Sequence, residues 1–444
     1  MDSFAISLGR KARSPAELLA ALPPDSEPHL LDARAEGGWG ETLGAPGGER
    51  SFLGVRPELT FRGGREALDD ARRWLAEFRG RPASDAVLVG SFAYELGHAF
   101  AGGRVAGAGG AEAAPVCLAG FRALYVHDAA SQRGAVVGGC ARATAELAEL
   151  LRGIPAARDS DAPPDVVRPR ARASEVEYLR AVRRVQDYIR AGDVYQVNLA
   201  RRLDAPSPDA SALRRLYLRL ADATAAPFCA YLETDERTLL SSSPERFLRS
   251  DGGEVETRPI KGTRPRGRTP SEDAALLREL LASAKDRAEH VMIVDLERND
   301  LGRVCELGSV RVPELFRARS FSDVHHLVST VRGRLRDPAD WVGLLEATFP
   351  GGSITGAPKL RAMQIIAELE RVPRDVYTGA IGSIDAAGRV DLSIAIRTAI
   401  AARGELHLHL GGGIVSDSEP ESELRETHDK GRGFARSWGF GSSE

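Results

Sequence analysis

The sequence predicts an α+β protein in which large antiparallel sheets pack with helices. Short strand-like runs such as FCAYLET, VDLSIAIRTAIA and LHLHLGGGIV alternate with helical stretches in the second part of the chain, and this alternation is typical of mixed folds. No repeat of about 20 to 50 residues is visible, which argues against solenoids and propellers. With 444 residues, 43% of them hydrophobic, the chain can bury a large core as one domain or two closely packed ones.

The N-terminal region, residues 1–155, is rich in alanine and glycine and is predicted to form a lobe of its own. It contains short apolar runs such as DAVLVGSFAYELG, and REALDDARRWLAEF predicts an amphipathic helix. Residues 156–173 carry prolines and charges without periodicity, which predicts a linker.

A second region begins at Ser174. Ser174 and Glu177 match a capping box, and Val182 and Val185 follow at helical spacing until Gly192 ends the helix. This region is predicted to cover residues 174–436, with a short tail at 437–444.

Charge and cysteine content exclude several classes of protein. The formal net charge is −3, and the arginines are scattered among carboxylates, so we expect no nucleic-acid partner. The four cysteines form no C-x-x-C pair, which argues against a disulfide framework or a zinc site. The N-terminal residues lack an apolar signal core and no 18-residue apolar run exists; we therefore expect a cytoplasmic protein with no membrane partner.

Lysine is rare in this chain, and one lysine lies among arginines in ETRPIKGTRPRG. Of 60 basic residues only five are lysines: Lys11, Lys261, Lys285, Lys359 and Lys430. Arginine stays protonated, whereas a lysine amine can become neutral and act as a nucleophile. The use of lysine at position 261 therefore suggests chemistry, although a simple charge contact is the alternative.

The segment FPGGSITGAPKLRAMQIIAELE combines a glycine-rich turn with a helix. Thr355 is the expected N-cap and Pro358 lies in the first turn. Free amides in such a turn attract an anion, but the segment lacks the Lys-Ser or Lys-Thr of a nucleotide-binding P-loop. Taken alone, the segment is better explained by an ordinary capped helix after a tight turn, because such caps are common.

The segment LGGGIVSDSEPESELRETHDKGRG places carboxylates and a lysine on one helix face. Glu423, Glu426 and Lys430 lie three and four residues apart, although a solvated helix with ion pairs has the same pattern. Glu289 precedes a strongly apolar run. Because Mg²⁺ prefers one or two protein carboxylates with water and substrate oxygens, Glu289 and Glu426 are candidate ligands.

Several motifs in this order resemble the chorismate-utilising enzyme family: SPERF (243–247), RPIKGTRPRG, EHVMIVDLERNDLGRV, FPGGSITGAPKLRAM, YTGAIGSID and GGGIVSDSEPESELRET. The resemblance spans roughly residues 175–435. It is strongest to component I of the aminodeoxychorismate synthases, because PIKGT has lysine where anthranilate synthases usually have alanine. It implies the fold of anthranilate synthase component I, with antiparallel sheets in a sandwich flanked by helices.

The resemblance also implies an activity and a set of site residues. Chorismate and ammonia would give 4-amino-4-deoxychorismate for folate biosynthesis, with Mg²⁺ held by Glu289 and Glu426 and assisted by Glu423. The implied substrate-binding positions are Gly262, Thr263, His326, Ser353, Tyr377, Arg397, Gly411, Gly412, Gly413 and Lys430. A hydrogen-bonded core histidine is the alternative for His326.

The resemblance assigns the chemistry to Lys261 and Glu245. Neutral Lys261 would attack C2 of chorismate and displace the C4 hydroxyl, and ammonia would then attack C4 and displace the lysine. Glu245 would protonate the leaving hydroxyl and act as a base in the second step, for which a raised pKa suits it.

Ammonia is expected from a separate glutamine amidotransferase subunit, with free ammonia as a substitute. A class I glutaminase needs a Gly-x-Cys-x-Gly elbow, and Cys140 in GGCARA lacks the second glycine. The stretch LLDA has Ala33 where anthranilate synthases carry a serine that helps to bind tryptophan, so feedback by tryptophan is in doubt.

Three other functions remain open at this stage. Anthranilate synthase component I would eliminate pyruvate, and isochorismate synthase would use water in place of ammonia. A sensor or scaffold subunit would have kept the fold and lost catalysis, but Glu245, Lys261, Glu289, Arg397 and Glu426 are all present.

Overall fold

The computed structural model describes residues 4–10, 12–35, 38–39, 50–105, 113–155, 166–251, 253–321 and 324–439. Within these residues the chain forms eleven α-helices and 22 strands. The α+β class predicted from the sequence is confirmed.

The strands up to and within the predicted linker are β1 (Phe4–Arg10), β2 (His29–Asp32), β3 (Arg50–Gly54), β4 (Leu59–Gly63), β5 (Val87–Phe92), β6 (Val116–Phe121), β7 (Ala123–Asp128), β8 (Arg133–Gly138) and β9 (Arg170–Ala171). The later strands are β10 (Gln196–Pro206), β11 (Phe228–Glu233), β12 (Arg237–Ser243), β13 (Arg246–Ser250), β14 (Glu254–Thr257), β15 (Ile260–Pro265), β16 (Arg311–Ser320), β17 (Val324–Arg334), β18 (Gly356–Ala357), β19 (Ala380–Asp385), β20 (Val390–Ile394), β21 (Thr398–Ala402) and β22 (Glu405–Ile414).

The helices are α1 (Pro15–Ala21), α2 (Arg65–Ala76), α3 (Leu96–Phe100), α4 (Ala141–Gly153), α5 (Glu175–Arg190), α6 (Ala210–Thr224), α7 (Pro270–Ala282), α8 (Ala284–Gly302), α9 (Trp341–Thr348), α10 (Lys359–Glu370) and α11 (Pro420–Trp438).

Two antiparallel sheets contain all of these strands. The first has the order β1-β8-β7-β3-β2-β11-β12-β21-β22-β10-β18, with β9 also paired to β10. The second has the order β15-β17-β14-β13-β20-β19-β5-β6-β4, with β16 also paired to β17. Strands from both sides of the predicted linker therefore hydrogen-bond within the same sheets, for example β2 with β11 and β5 with β19.

The two sheets pack face to face as a sandwich. An apolar layer between them takes Leu31 from the first sheet and Val89 and Ile381 from the second. Because successive side chains of a strand point to opposite faces, the neighbours Leu30 and Leu88 belong to two outer apolar layers. Helices α1, α4, α6 and α11 cover the first outer layer, while α2, α8 and α9 cover the second.

Local sequence signals give mixed outcomes. Ser174 and Glu177 form the predicted capping box at the start of α5, and the predicted amphipathic helix is α2. The expected N-cap at Thr355 is wrong: α10 begins at Lys359 after Pro358. The Thr355 hydroxyl instead donates to the carbonyl of Gly351 at 2.7 Å, because the short strand β18 separates the turn from the helix.

The predicted division into lobe, linker, second region and tail stays a prediction. Residues 156–165 of the linker lie outside the described residues, and β9 lies inside it. Helix α11 continues to Trp438, two residues into the predicted tail. Within the described ranges, no helix combines the length and apolar character needed to cross a membrane.

A buried ion pair joins α6 to both sequence regions. Arg214 donates to the two carboxylate oxygens of Glu233 at 3.1 and 3.0 Å and to the carbonyl of Leu22 at 2.7 Å. Both charged residues are buried.

Replacing Arg214 by methionine is expected to lower the free energy of unfolding by about 3–5 kcal/mol, because it leaves Glu233 as a buried unpaired charge. Urea denaturation measures the effect. The control is Arg142→Met, which removes the exposed pair with Glu146 and is expected to cost under about 1 kcal/mol. Equal, small losses for both variants would contradict a stabilising role for the buried pair.

Candidate active site

Segments far apart in the chain meet at the start of β10. In the pairing of β10 with β22, Asn198 lies opposite Gly413 and Leu199 opposite Gly412. Strand β15 brings Lys261 to the same place: a β-carbon on Gly413 would lie only 3.1 Å from the Lys261 amine. Although β15 belongs to the second sheet, the predicted lysine thus lies beside the predicted glycine segment of the first sheet.

Glu245 is buried close to this meeting point, just after the end of β12. Its Oε1 atom accepts hydrogen bonds from the Ser353 hydroxyl at 2.7 Å and the Ile260 amide at 3.3 Å. Burial raises the pKa of Glu245 to about 6, although the Ser353 hydrogen bond and the charge of Lys261 both lower it. A carboxyl group with this pKa can exchange a proton near neutral pH.

Gln196 links Lys261 to Glu289. With its amide oriented to satisfy both neighbours, Gln196 accepts a hydrogen bond from Lys261 Nζ at 3.2 Å and donates one to Glu289 Oε1 at 3.3 Å. Nδ1 of the His290 ring lies 3.2 Å from the carbonyl oxygen of Lys261. Burial lowers the pKa of His290 to about 4, so the neutral ring can donate this hydrogen bond and fix the backbone at Lys261.

The glycine segment of β22 leaves open the space in front of two carboxylates. A β-carbon on Gly412 would lie 3.2 Å from Glu426 Oε1 and 3.3 Å from Glu423 Oε2. Lys430 donates to Glu426 Oε1 and to the Gly411 carbonyl, each at 2.7 Å. Helix α11 thus presents its predicted carboxylate and lysine stripe to the bare backbone of β22.

A second part of the site lies along β15 and β17. Gly262 has a φ of +85°, in the left-handed region that favours glycine. The Thr263 hydroxyl lies 2.9 Å from Nδ1 of His326. Burial lowers the pKa of His326 to about 3, and the charge of Arg397 adds to this effect, so the imidazole is neutral.

The carboxylates suit a divalent cation. Glu423 and Glu426 converge on the space above Gly412, and the buried Oε2 atom of Glu423 has no hydrogen-bond partner among the described residues. Oxygen atoms of this kind are the ligands that Mg²⁺ prefers, with water and substrate oxygens completing its shell. Within the described residues, no three histidine, cysteine or acidic side chains converge as a complete metal cluster.

Tyr377 has contacts of a different kind. Its ring stacks on His409 with centroids 5.0 Å apart and an interplanar angle of 12°, and the Arg374 guanidinium lies 5.7 Å from the ring centroid. Burial raises the pKa of Tyr377 to about 12, so its hydroxyl is neutral. A substrate contact by Tyr377 stays a prediction.

Sequence reasoning missed three buried residues near the site. Gln196 and His290 contact Lys261 as described above, and Glu297 accepts a hydrogen bond from the Gly352 amide at 2.9 Å. Burial raises the pKa of Glu297 to about 7, and the charge of Asp300 adds to this effect. The available signal was a glutamine at the start of the strand-like run QVNLARRL of β10; nothing in DLERND distinguishes Glu297 from a surface residue.

With this geometry established, comparison with known proteins identifies the family. The sequence profile of the chorismate binding enzymes matches residues 42–436. The chain belongs to the chorismate binding enzyme family.

Individual relatives divide between two activities. Aminodeoxychorismate synthase component 1 of Klebsiella aerogenes is 52% identical over 263 residues, which are 59% of this chain and 57% of that protein. The protein of the same name from Escherichia coli strain K12 is 51% identical, with 57% and 56% covered. Anthranilate synthase component 1 of Streptomyces coelicolor is 47% identical, with 59% and 51% covered. The matches therefore span little more than half the length of these relatives.

Solved structures share the whole fold. Anthranilate synthase component I from Streptococcus pneumoniae has a TM-score of 0.79 at 28% identity, covering 88% of this chain and 93% of that chain. The menaquinone-specific isochorismate synthase of Escherichia coli has a TM-score of 0.76 at 18% identity, with 98% and 94% covered. The predicted anthranilate synthase component I-like fold is confirmed.

Removing the Ser353 hydroxyl is expected to raise the pKa of Glu245. A hydrogen bond to a charged group contributes about 1.5–3 kcal/mol, which corresponds to about one to two pKa units. Carbon-13 NMR of labelled glutamate in Ser353→Ala would measure the titration, with Glu245→Gln to assign the resonance. Ser393→Ala is the control, because Ser393 is buried and its hydroxyl donates to the Ile381 carbonyl instead. If the pKa of Glu245 does not rise in Ser353→Ala, the hydrogen bond from Ser353 is contradicted.

Proposed function

We propose that this chain is the chorismate-aminating component of an aminodeoxychorismate synthase, which converts chorismate and ammonia to 4-amino-4-deoxychorismate for folate biosynthesis. The observation that carries the proposal is the position of Lys261. Its amine lies between Gln196 and Gly413, facing the space that the glycines leave open. The aminodeoxychorismate synthase relatives, whose sequences are 52% and 51% identical to this chain over the matched regions, support the same activity.

Lys261 and Glu245 would carry out two linked displacements. The neutral lysine amine attacks C2 of chorismate, the ring double bonds shift, and the C4 hydroxyl leaves as water with a proton from Glu245. Ammonia then attacks C4, the double bonds return, and the C2–lysine bond breaks. Glu245 takes the proton that ammonia loses, so the carboxyl group ends the cycle protonated. Its position close to Lys261 and its pKa of about 6 support both tasks.

The remaining residues would bind the substrate. Chorismate has two carboxylates, and the amide of Gly413 together with the cationic groups of Arg397 and Lys430 would contact them. Glu289 and Glu426, assisted by Glu423, would hold Mg²⁺. When bound, this ion neutralises a substrate carboxylate that would otherwise face a site rich in acidic residues. Thr263 and neutral His326 would orient the ring by hydrogen bonds.

The proposal includes a separate glutamine amidotransferase subunit as the source of ammonia. Cys117, Cys229 and Cys305 are buried, burial raises the pKa of the Cys229 thiol to about 12, and the sequence around Cys140 lacks a glutaminase elbow. The term component 1 in the names of the relatives supports a second component. In this proposal residues 174–436 form the catalytic region and residues 1–155 the N-terminal lobe.

Anthranilate synthase component I is the second candidate function, and isochorismate synthase is a third. The Streptomyces coelicolor relative at 47% identity and the Streptococcus pneumoniae structure favour the second. Lys261 in PIKGT separates the first candidate from the second, since a pyruvate-eliminating enzyme has no need of a nucleophile at this position.

Product analysis tests the function directly. The purified chain is incubated with chorismate, Mg²⁺ and ammonium at mildly alkaline pH, and a 4-amino-4-deoxychorismate lyase is added afterwards. We expect 4-aminobenzoate only after the lyase is added, and no turnover when EDTA removes the metal. Anthranilate formed without the lyase, or isochorismate, would overturn the proposal in favour of the corresponding alternative.

Substitution of Lys261 separates nucleophilic catalysis from charge. Lys261→Ala is expected to open C2 to ammonia and shift the product toward the 2-amino isomer. Lys261→Arg keeps the positive charge without a nucleophile, so it is expected to lose at least about a hundredfold in 4-amino product formation, the lower range for a positioned catalytic group. Chromatography of the products measures both. Near wild-type 4-amino product in Lys261→Arg would show that the residue acts only as a charge.

A further inference from the structure

A small cavity lies beside Arg374, outside the set of residues that form the candidate active site. It is lined by the turn residues Tyr94 and Glu95, by His98 of α3, and by residues of α10 and the segment that follows it, which include Glu370 and Arg374. The cavity has a volume of about 10 Å³, which is close to the minimum for one water molecule. The cavity therefore fits an occupant with a single heavy atom.

Three buried polar atoms in this lining have no hydrogen-bond partner among the described residues. They are the hydroxyl of Tyr94, Oε2 of Glu95 and Nε2 of His98. Tyr94 is 1% exposed and Glu95 is 9% exposed. Buried polar groups are normally hydrogen-bonded, so three unpaired atoms around one cavity indicate a bound polar ligand.

The chemistry of these atoms requires a ligand that donates hydrogen bonds. The Glu95 carboxylate can only accept, whereas the Tyr94 hydroxyl can accept and also carries one O–H donor. Burial lowers the pKa of His98, and a neutral imidazole presents a lone pair on one nitrogen. The occupant therefore needs at least one N–H or O–H group directed at the Glu95 carboxylate, and further donors can reach lone pairs of Tyr94 and His98.

Arg374 has no N–H group left to donate to the occupant of the cavity. Its five N–H groups are used by both carboxylate oxygens of Glu370, the carbonyls of Asn198 and Ile354, and the hydroxyl of Thr378. Because Glu370 already neutralises Arg374, the charge of Glu95 is left without a counter-ion in the cavity lining. An anion would be repelled by the Glu95 carboxylate, whereas a small cation offsets its charge.

We propose that this cavity binds one ammonium ion, with Glu95 as counter-ion and Tyr94 and His98 as further hydrogen-bond acceptors. Ammonium has a single heavy atom, a positive charge and four N–H donors, so it matches the size, charge and acceptors of the cavity. Water matches the size and can donate and accept hydrogen bonds, but it brings no positive charge to offset the Glu95 carboxylate. Potassium matches the charge, but it is normally surrounded by a ring of oxygen atoms that replaces its hydration shell, and this lining offers few oxygens.

The cavity lies one side chain from the candidate active site. Arg374 bonds to the carbonyl of Ile354, the residue after Ser353, and to the carbonyl of Asn198, two residues from Gln196. If ammonia is the co-substrate, as the proposed function states, an ammonium site here would concentrate its source beside the site. That consequence rests on the proposed function, whereas the binding itself does not.

Thermal unfolding of the full chain tests the binding without any activity assay. Ammonium chloride replaces tetramethylammonium chloride at constant chloride concentration and pH 8, because tetramethylammonium has the same charge but no N–H donor and is too large. A ligand that binds only the folded state raises the unfolding midpoint as it saturates. We expect a saturable rise with ammonium and a much smaller one with potassium.

The variants Glu95→Gln and Tyr94→Phe locate the effect. Glu95→Gln keeps a side-chain oxygen that can accept the hydrogen bond from the Arg374 amide but removes the charge. We expect its half-saturating ammonium concentration to rise at least about tenfold, which corresponds to about 1.4 kcal/mol. Tyr94→Phe removes one acceptor that has no partner among the described residues and is expected to give a smaller rise. Asp85→Asn is the control, since Asp85 is a buried carboxyl with an unpaired oxygen elsewhere in the described chain.

The pH dependence follows from the state of Glu95. Burial raises the pKa of Glu95 to about 7, so the stabilisation by ammonium should be present above pH 7 and decline as pH falls through 7 and the carboxylate is protonated. The charged and titratable groups that surround it are Tyr94, His98, Glu370, Arg374 and Asp375.

Equal effects of ammonium and potassium, no saturable rise in the unfolding midpoint, or a rise unchanged in Glu95→Gln would each overturn the proposal. Loss of product in the chorismate assay would count against the proposed function but would leave the ammonium site standing. The failure of one proposal can therefore be told apart from the failure of the other.

Discussion

The pairing of β10 with β22 is the constraint on which the candidate site depends. It joins the middle of the chain to its C-terminal part in one sheet, and its register sets Asn198 against Gly413. A shift by one residue would turn every side chain of β10 to the opposite face, which would remove Gln196 from Lys261 and Glu289. The close approach of the strands also explains Gly411, because a β-carbon there would lie 2.4 Å from the Leu199 carbonyl oxygen.

Buried charges in this fold differ in how completely they are paired. Those that connect elements are fully engaged: Arg374 uses five donors, Arg237 bonds to Asp375 at 2.6 Å and to a carbonyl, and Arg214 is bidentate to Glu233. Around the site, by contrast, Glu245, Glu297 and Glu423 are buried and have raised pKa values. Desolvation without full compensation is a common property of functional sites. The paired arginines and the apolar layers around the site offset the loss of stability that this desolvation causes.

Sequence reasoning predicted the fold class, the capping box of α5, the stripe on α11 and the family, because each depends on local periodicity or on a long series of motifs. It did not predict how strands from both regions interleave within two sheets, since register between distant strands has no local signal. Thr355 was expected to cap a helix, but β18 forms there because its partner β10 is supplied by a distant segment. Gln196 and Glu297 were missed for the same reason: their importance arises from neighbours that only the folded chain provides.

The distribution of lysine gives the strongest argument that the site is chemical as well as electrostatic. Where the fold needs a fixed cation it mostly uses arginine, whose planar group makes several hydrogen bonds at once. Among the described residues, Lys261, Lys285 and Lys430 all contribute positive charge at Glu426, and Lys359 pairs with Asp300 beside Glu297. Lysines are thus gathered around the carboxylates of one site in a chain that otherwise avoids them. A compact, mobile amine that can lose its proton has no advantage over arginine in a purely structural contact, so this placement favours a role for the amine itself.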